Sequence, residues 1–196
     1  MPTINLNFSN VDGSCMDGPN APGLNSIYCV RKRGIVGNFP KVVVNDDGSL
    51  DFENCDFDEN FVLKSLPTLS ATVKLAEYEF PDGTASADFS ASGDNGYNNY
   101  THSLDFALAG LSRVVKRETY KHLNAGSVWF TRMNGTQLVM VGASYSPVYL
   151  KTDWKSGKAG KDKRGFTLKG NADGMMFPPL EVPDSLMADF AALLQA

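Results

Sequence analysis

Apolar and polar side chains alternate along several short stretches of this chain, the period expected of strands with one wet face. Thr3 to Phe8 alternates, and residues 11–23 then carry glycine and proline with little to bury, which predicts an N-terminal arm over 1–23. Asn25 to Val30 reads as a strand and Lys41 to Val44 as another, followed by the turn chemistry of Asn45-Asp46-Asp47-Gly48. Thr72 to Phe80 alternates before the turn Pro81-Asp82-Gly83-Thr84. Ala85 to Tyr97 is undecided between part of a strand and a loop. Tyr100 to Leu108 alternates again and puts Leu104, Phe106 and Leu108 on one face.

The period then changes. Over 112–124 the apolar positions recur at helical spacing, with Ser112 as N-cap and Gly126 near the end. Val128 to Met133, Asn134-Gly135 and Thr136 to Gly142 form the clearest hairpin signal. A basic glycine-rich loop is expected over 151–165, then a strand from Phe166 to Gly170. Prolines make Met175 to Pro183 extended, and Asp184 is expected to cap a last amphipathic helix ending at Leu194, with Leu186, Phe190, Leu193 and Leu194 as its apolar stripe. Together these elements predict a mainly β fold. It is one domain over 1–196: an antiparallel sandwich or barrel with a flanking helix at 112–124, a C-terminal helix at 184–194 within an extension over 175–196, and extended arms.

Composition narrows the function classes. A net charge of −4 lacks the positive field of a protein that coats nucleic acid. Without a basic segment leading into an apolar run, and without a long apolar stretch, the chain is expected to be soluble, unprocessed and not inserted in a membrane. Cys15, Cys29 and Cys55 are odd in number and lack CxxC spacing, so they read as reduced thiols.

Residues that would carry chemistry are few. His102 and His122 fall in a strand and a helix, outside any metal-ligand spacing, and a structural role is the first expectation for each. Residues 156–161, Ser-Gly-Lys-Ala-Gly-Lys, lack the spacing of a phosphate loop. The chain is therefore expected not to be an enzyme and to need neither cofactor nor metal.

Two charged segments stand out. Asp46, Asp47, Asp51, Glu53, Asp56, Asp58 and Glu59 crowd residues 46–59 without calcium-loop spacing, while Lys151, Lys155, Lys158, Lys161, Lys163 and Arg164 crowd 151–164. One reading is two solvated loops. The other is that they face each other between identical subunits, since head-to-tail assembly juxtaposes different patches of one chain. On that reading the acids, with Lys155, Lys158, Lys161, Lys163 and Arg164, are inter-subunit contact candidates.

The order of segments resembles the major tail (tail-tube) proteins of tailed bacteriophages over residues 22–172. Pro22 to Tyr28 is similar to the family's opening glycine, leucine and Ile-Tyr strand, Tyr97 to Leu108 to its small loop and amphipathic strand, Val128 to Gly142 to its late hairpin, and Arg164 to Leu168 to its closing strand. The resemblance implies a virion structural protein, assembled in the host cytoplasm and located in the tail. Its partners would be further copies of itself in hexameric rings that stack into a tube, other tail or connector proteins, and DNA that passes through the lumen without specific binding. Thr72 to Phe80 and Tyr100 to Leu108, each with a polar face, are the candidate strands for the lumen wall. Two alternatives remain open: a ring subunit at the head-to-tail connector, and a carbohydrate- or surface-binding β-domain using Trp129, Trp154 and tyrosines as stacking platforms.

Overall fold

A computed structural model describes residues 23–94, 98–134, 137–158 and 164–195. The N-terminal arm, apart from Gly23, lies outside the described residues. Within them the chain forms a mainly antiparallel β structure of nine strands with two short α-helices. In chain order the strands are β1 (Leu24–Arg31), β2 (Ala76–Tyr78), β3 (Ala85–Ser92), β4 (Asn99–Ala109), β5 (Gly126–Met133), β6 (Leu138–Val141), β7 (Val148–Lys155), β8 (Gly165–Met175) and β9 (Leu180–Val182). Helix α1 (Arg113–Lys121) lies between β4 and β5, and α2 (Met187–Leu193) follows β9.

The hydrogen-bonded path runs β2-β1-β5-β7-β8-β4-β3, with β6 on β5 and β9 on β6. It bends where β5 meets β7 through only Gly126↔Tyr149 and Ser127↔Val148. The two limbs pack face to face. Phe106 of β4 meets Trp129 of β5 with ring centroids 5.4 Å apart, and Tyr78 of β2 touches both rings. Alternation explains this layering: Leu104, Phe106 and Leu108 all point into the core as their spacing predicts, and His102 joins them. The hairpin signal also holds, with Trp129↔Val141 through Arg132↔Leu138 paired across β5 and β6. Its Asn134-Gly135 turn lies partly outside the described residues.

Several sequence expectations are corrected. Lys41 to Val44 forms no strand, and only an isolated bridge joins Val44 to Leu50. Thr72 to Phe80 shortens to the three residues of β2. The undecided Ala85 to Tyr97 contains a full strand, whose Ala85, Ala87 and Phe89 share the inward face. The basic segment does not begin as a loop, since Lys151 to Lys155 belong to β7. The β7 strand is obscured in the sequence because its inward positions beyond Leu150 are Thr152 and Trp154, an apolar signal too short to register.

Helix α1 starts as expected, with Ser112 Oγ accepting from the Val115 amide at 3.1 Å. It stops at Lys121, earlier than the sequence suggests. Asn124, at φ 55°, takes the left-handed conformation just past the helix, and Gly126, expected near the helix end, opens β5 instead. Asp184 does not cap a helix: it opens a 3-10 turn that leads into α2. The apolar stripe of α2 is real. Phe190 is buried edge-on to Tyr28 and Phe130 at 5.3 Å, so the C-terminal helix completes this subunit's own core.

The long connection from β1 to β2 is ordered without strands. Phe57 is wholly buried and stacks on Phe61 at 6.0 Å, while Phe52 meets both edge-on and Phe57 reaches Phe177 past the end of β8. These rings fasten the acidic segment to the sandwich, which is why so many carboxylates do not leave it an unfolded tail.

Candidate functional site

The acids of residues 46–59 act first on their own backbone. Asp47 Oδ1 accepts from the Ser49 amide at 2.9 Å and from its hydroxyl at 2.6 Å. Asp51 accepts from the Glu53 and Asn54 amides and the Asn54 side chain, Asp56 from the Lys41 amide at 2.6 Å, and Asp58 from the amides of Asn60 and Val62 at 2.9 and 3.0 Å. Those of Asp47, Asp51 and Asp58 are local, Asx-type bonds, whereas Asp56 reaches across to Lys41: a short carboxylate supplies acceptors where no strand neighbour does. The same hydrogen bonds hold the Asp47 and Asp51 carboxyls below the usual carboxylate range. Asp46, Glu53 and Glu59 are exposed.

The cations lie on a different part of the fold. Lys155 ends β7, Lys158 is in the connection that follows, and Arg164 immediately precedes β8, its carbonyl accepting from the Gly110 amide at 3.1 Å. Lys161 and Lys163 lie outside the described residues. The acids belong to the β1–β2 connection and the described cations to the β7–β8 hairpin.

The feature that sequence reading missed is the β7-β8-β4-β3 limb as a whole. Its outward face is polar on every strand. The rows across it run Lys151, Lys169, Asp105, Ser86 and Tyr149, Asn171, Ser103, Asp88, with Thr167 and Thr101 beside them. Lys169 and Asp105 form an ion pair that raises the lysine's pKa. The outward face of β7 carries Lys151, Asp153 and Lys155, net positive by one, and a lone carboxylate, Asp88, stands on β3. Among the described residues both margins of this limb are open. β3 pairs only with β4, and β7 beyond Tyr149 pairs only with β8.

An open groove of about 650 Å³ lies between α1 and β7, where Tyr120 is 75 % and Leu123 64 % exposed. Trp129, a candidate stacking platform by sequence, is wholly buried, with its indole N–H donating to Ser127 Oγ at 2.8 Å. Trp154 is 44 % exposed at the open margin of β7.

Among the described residues, buried Cys29 and His122 are not tuned as a nucleophile and base. Cys29, Tyr78 and His122 cluster beside Trp129, with the Tyr78 hydroxyl 2.8 Å from His122 Nε2. Burial pushes the Cys29 thiol up to about 12 and His122 down to about 4. A working thiolate–imidazolium pair needs the opposite shifts. His102 is neutral and hydrogen-bonded, its Nδ1 accepting from the Gly142 amide at 3.4 Å and its Nε2 donating to the Phe177 carbonyl at 3.3 Å. Among the described residues no group of three His, Cys, Asp or Glu side chains is placed to hold a metal, and no helix is long and apolar enough to cross a membrane.

No protein-family model, curated protein or solved structure matches this chain.

Proposed function

We propose that this chain is a structural subunit that closes into rings and stacks into a tube of the bacteriophage tail type, conducting DNA without gripping it. The observation that carries the reading is the β7-β8-β4-β3 limb, polar on its outward face and, among the described residues, open at both margins. An open strand edge is a row of unpaired amides and carbonyls, a template for another chain. With four antiparallel strands in the limb, β3 runs opposite to β7. A neighbour related by rotation about a ring axis therefore presents its β7 antiparallel to β3, and the sheet continues from copy to copy.

Charge supports the same pairing. Asp88 on the β3 margin suits Lys151 and Lys155 on the β7 margin, whereas β3 on β3 would oppose like charges. The resulting wall mixes Lys151, Lys155 and Lys169 with Asp88, Asp105, Asp153 and Asp173, so it lacks the concentrated positive field that immobilises phosphate backbones. Of the two strands that the resemblance nominated for a lumen wall, Tyr100 to Leu108 lies in this limb, and β2 lies at the far end of the other.

Electron microscopy of the purified protein tests the reading. Rings of six or tubes are expected, and a monomer persisting at high concentration would sink it. Trp154 supplies a solution counterpart. It sits on the inner side of the open margin, opposite Phe166, so strand addition covers it and its emission should shift to the blue, while buried Trp129 stays constant.

A further inference from the structure

We propose that copies stack end to end along β8, the positive end of the β7-β8-β4-β3 limb of one copy seating on the negative end of that limb in the next. The inference rests on the assembly reading above and names the contact between rings, as distinct from the sheet margins that join copies within a ring.

The limb has two unlike ends. Where β8 begins, Lys155 of β7 and Ala109 of β4 both pair with Gly165. Lys158 and Arg164 lie past that line in the β7–β8 connection, and the Arg164 carbonyl accepts from the Gly110 amide, which brings the start of α1, with Arg113, to the same end. All three cations are exposed. One acid, Asp82, precedes β3 at this end.

Where β8 finishes, Tyr100 pairs with Met175 and Asn99 with Ser92. Asp94 lies just past Ser92, Asp173 two residues before the end of β8, and both are exposed. Glu59 joins them. Phe57 packs at 5.2 Å on Phe177, two residues past β8, and Asp58 fixes the next turn by accepting from the Asn60 and Val62 amides, so exposed Glu59 is carried on this end by a braced segment. Lys64, in the same connection, donates to the Phe52 carbonyl.

Distance decides what these charges can do. The 11 residues of β8 hold the two ends about 33 Å apart, roughly four Debye lengths at physiological salt. The two sets cannot neutralise each other within one copy. The strands of a closed wall tilt by roughly 35–45° from its axis, so their ends lie on opposite rims. Copies related by rotation all point the same way, and a ring therefore gathers its cations on one rim and its carboxylates on the other. Stacking in one direction joins unlike rims, whereas the reverse direction opposes like ones, so the stack is polar and open-ended. Lys151, Lys155 and Asp88 stay with the sheet margins, and both contacts form together.

The test is a pair of charge-reversed variants of the full chain, viewed by electron microscopy and sedimented at low salt: Lys158→Glu with Arg164→Glu, and Asp94→Lys with Glu59→Lys. All four positions are exposed, and the circular dichroism spectrum should be unchanged. Each variant is expected to form rings but to stack roughly tenfold less or worse. Mixing the two, so that rings with two negative rims meet rings with two positive ones, should restore stacks. Rings of the original chain that never stack, variants that stack like the original, variants that lose the rings themselves, or a mixture that fails to stack overturn the rim contact without touching ring formation by the original chain. End-to-end fibres without rings, obeying the charge reversal, would keep the contact and remove the ring reading. An original chain that stays monomeric at every concentration overturns both.

Discussion

Phe106 on β4 and Trp129 on β5 lie with ring centroids 5.4 Å apart at 54°, both wholly buried, and this contact joins the two limbs of the sheet at the centre of the core. Trp129 passes the contact on to His122, stacked on it at 5.5 Å, and so to the base of α1. Phe106→Ala removes the bridge and leaves a void among rings that cannot collapse into it. The expected cost is about 3–5 kcal/mol. For a chain of this size that lowers the melting temperature by on the order of 10 °C, read by thermal unfolding.

Acid should destabilise the fold before its carboxylates titrate. His102 and His122 have folded-state pKa values near 4, both lowered chiefly by burial, against an ordinary 6.5. The surroundings of His102 are Phe89, Phe177 and the Gly142 amide; around His122 are Tyr78, Trp129, the cations Arg31 and Lys121, and the single carboxylate Glu118. Below pH 6.5 the unfolded chain binds protons that the folded chain refuses. Stability therefore falls as pH drops from 6.5 towards 4 and levels off beneath it, by on the order of 3 kcal/mol for each histidine. Denaturant midpoints across pH 7 to 4 check the slope, and His102→Asn should flatten it while lowering stability at neutral pH.

Much of this fold was legible in the sequence, for a physical reason that also explains what was not. Tyr100 to Leu108 and Val128 to Gly142 bury one face each, so their apolar period is strong. Phe190 likewise revealed the C-terminal helix. Lys41 to Val44 has the composition of a strand but meets only residues 50–56 through one bridge and scattered backbone bonds, so no ladder forms. That β3 and β7 have open margins among the described residues could not be read at all, because the absence of a partner leaves no mark on local periodicity. The charged segments were visible as composition. Their division into acids that bind backbone amides (Asp47, Asp51, Asp56, Asp58) and exposed ones (Asp46, Glu53, Glu59) needed the backbone.

That division can be tested within three residues. Asp58 caps the amides of Asn60 and Val62, and adjacent Glu59 is exposed. Asp58→Ala is expected to cost about 1–2 kcal/mol, with faster hydrogen exchange at those two amides, whereas Glu59→Ala should stay within about 0.5 kcal/mol of the original chain. Equal effects would mean that the acids act as a charged patch and not as caps.

The β3 margin offers the sharpest test of assembly. Ser86, Asp88 and Ser90 face outward there, and no lysine or proline guards the strand, although these are the residues by which proteins usually blunt an exposed edge. An edge left this accessible is expected where a partner covers it. Asp88→Lys places a cation at the point where Lys151 and Lys155 of a neighbour would approach, and it changes an exposed side chain whose contact inside the subunit is a hydrogen bond from the Ser86 hydroxyl at 3.4 Å. Monomer stability should remain within about 0.5 kcal/mol, because the substitution leaves the core and the β3–β4 ladder intact. Assembly should weaken, and added salt should then promote association by screening the new repulsion, where in the original chain salt weakens it. Sedimentation at low and high salt reads both signs. An unchanged assembly would mean that copies meet elsewhere, and the polar limb would lose its claim to be a continuous wall.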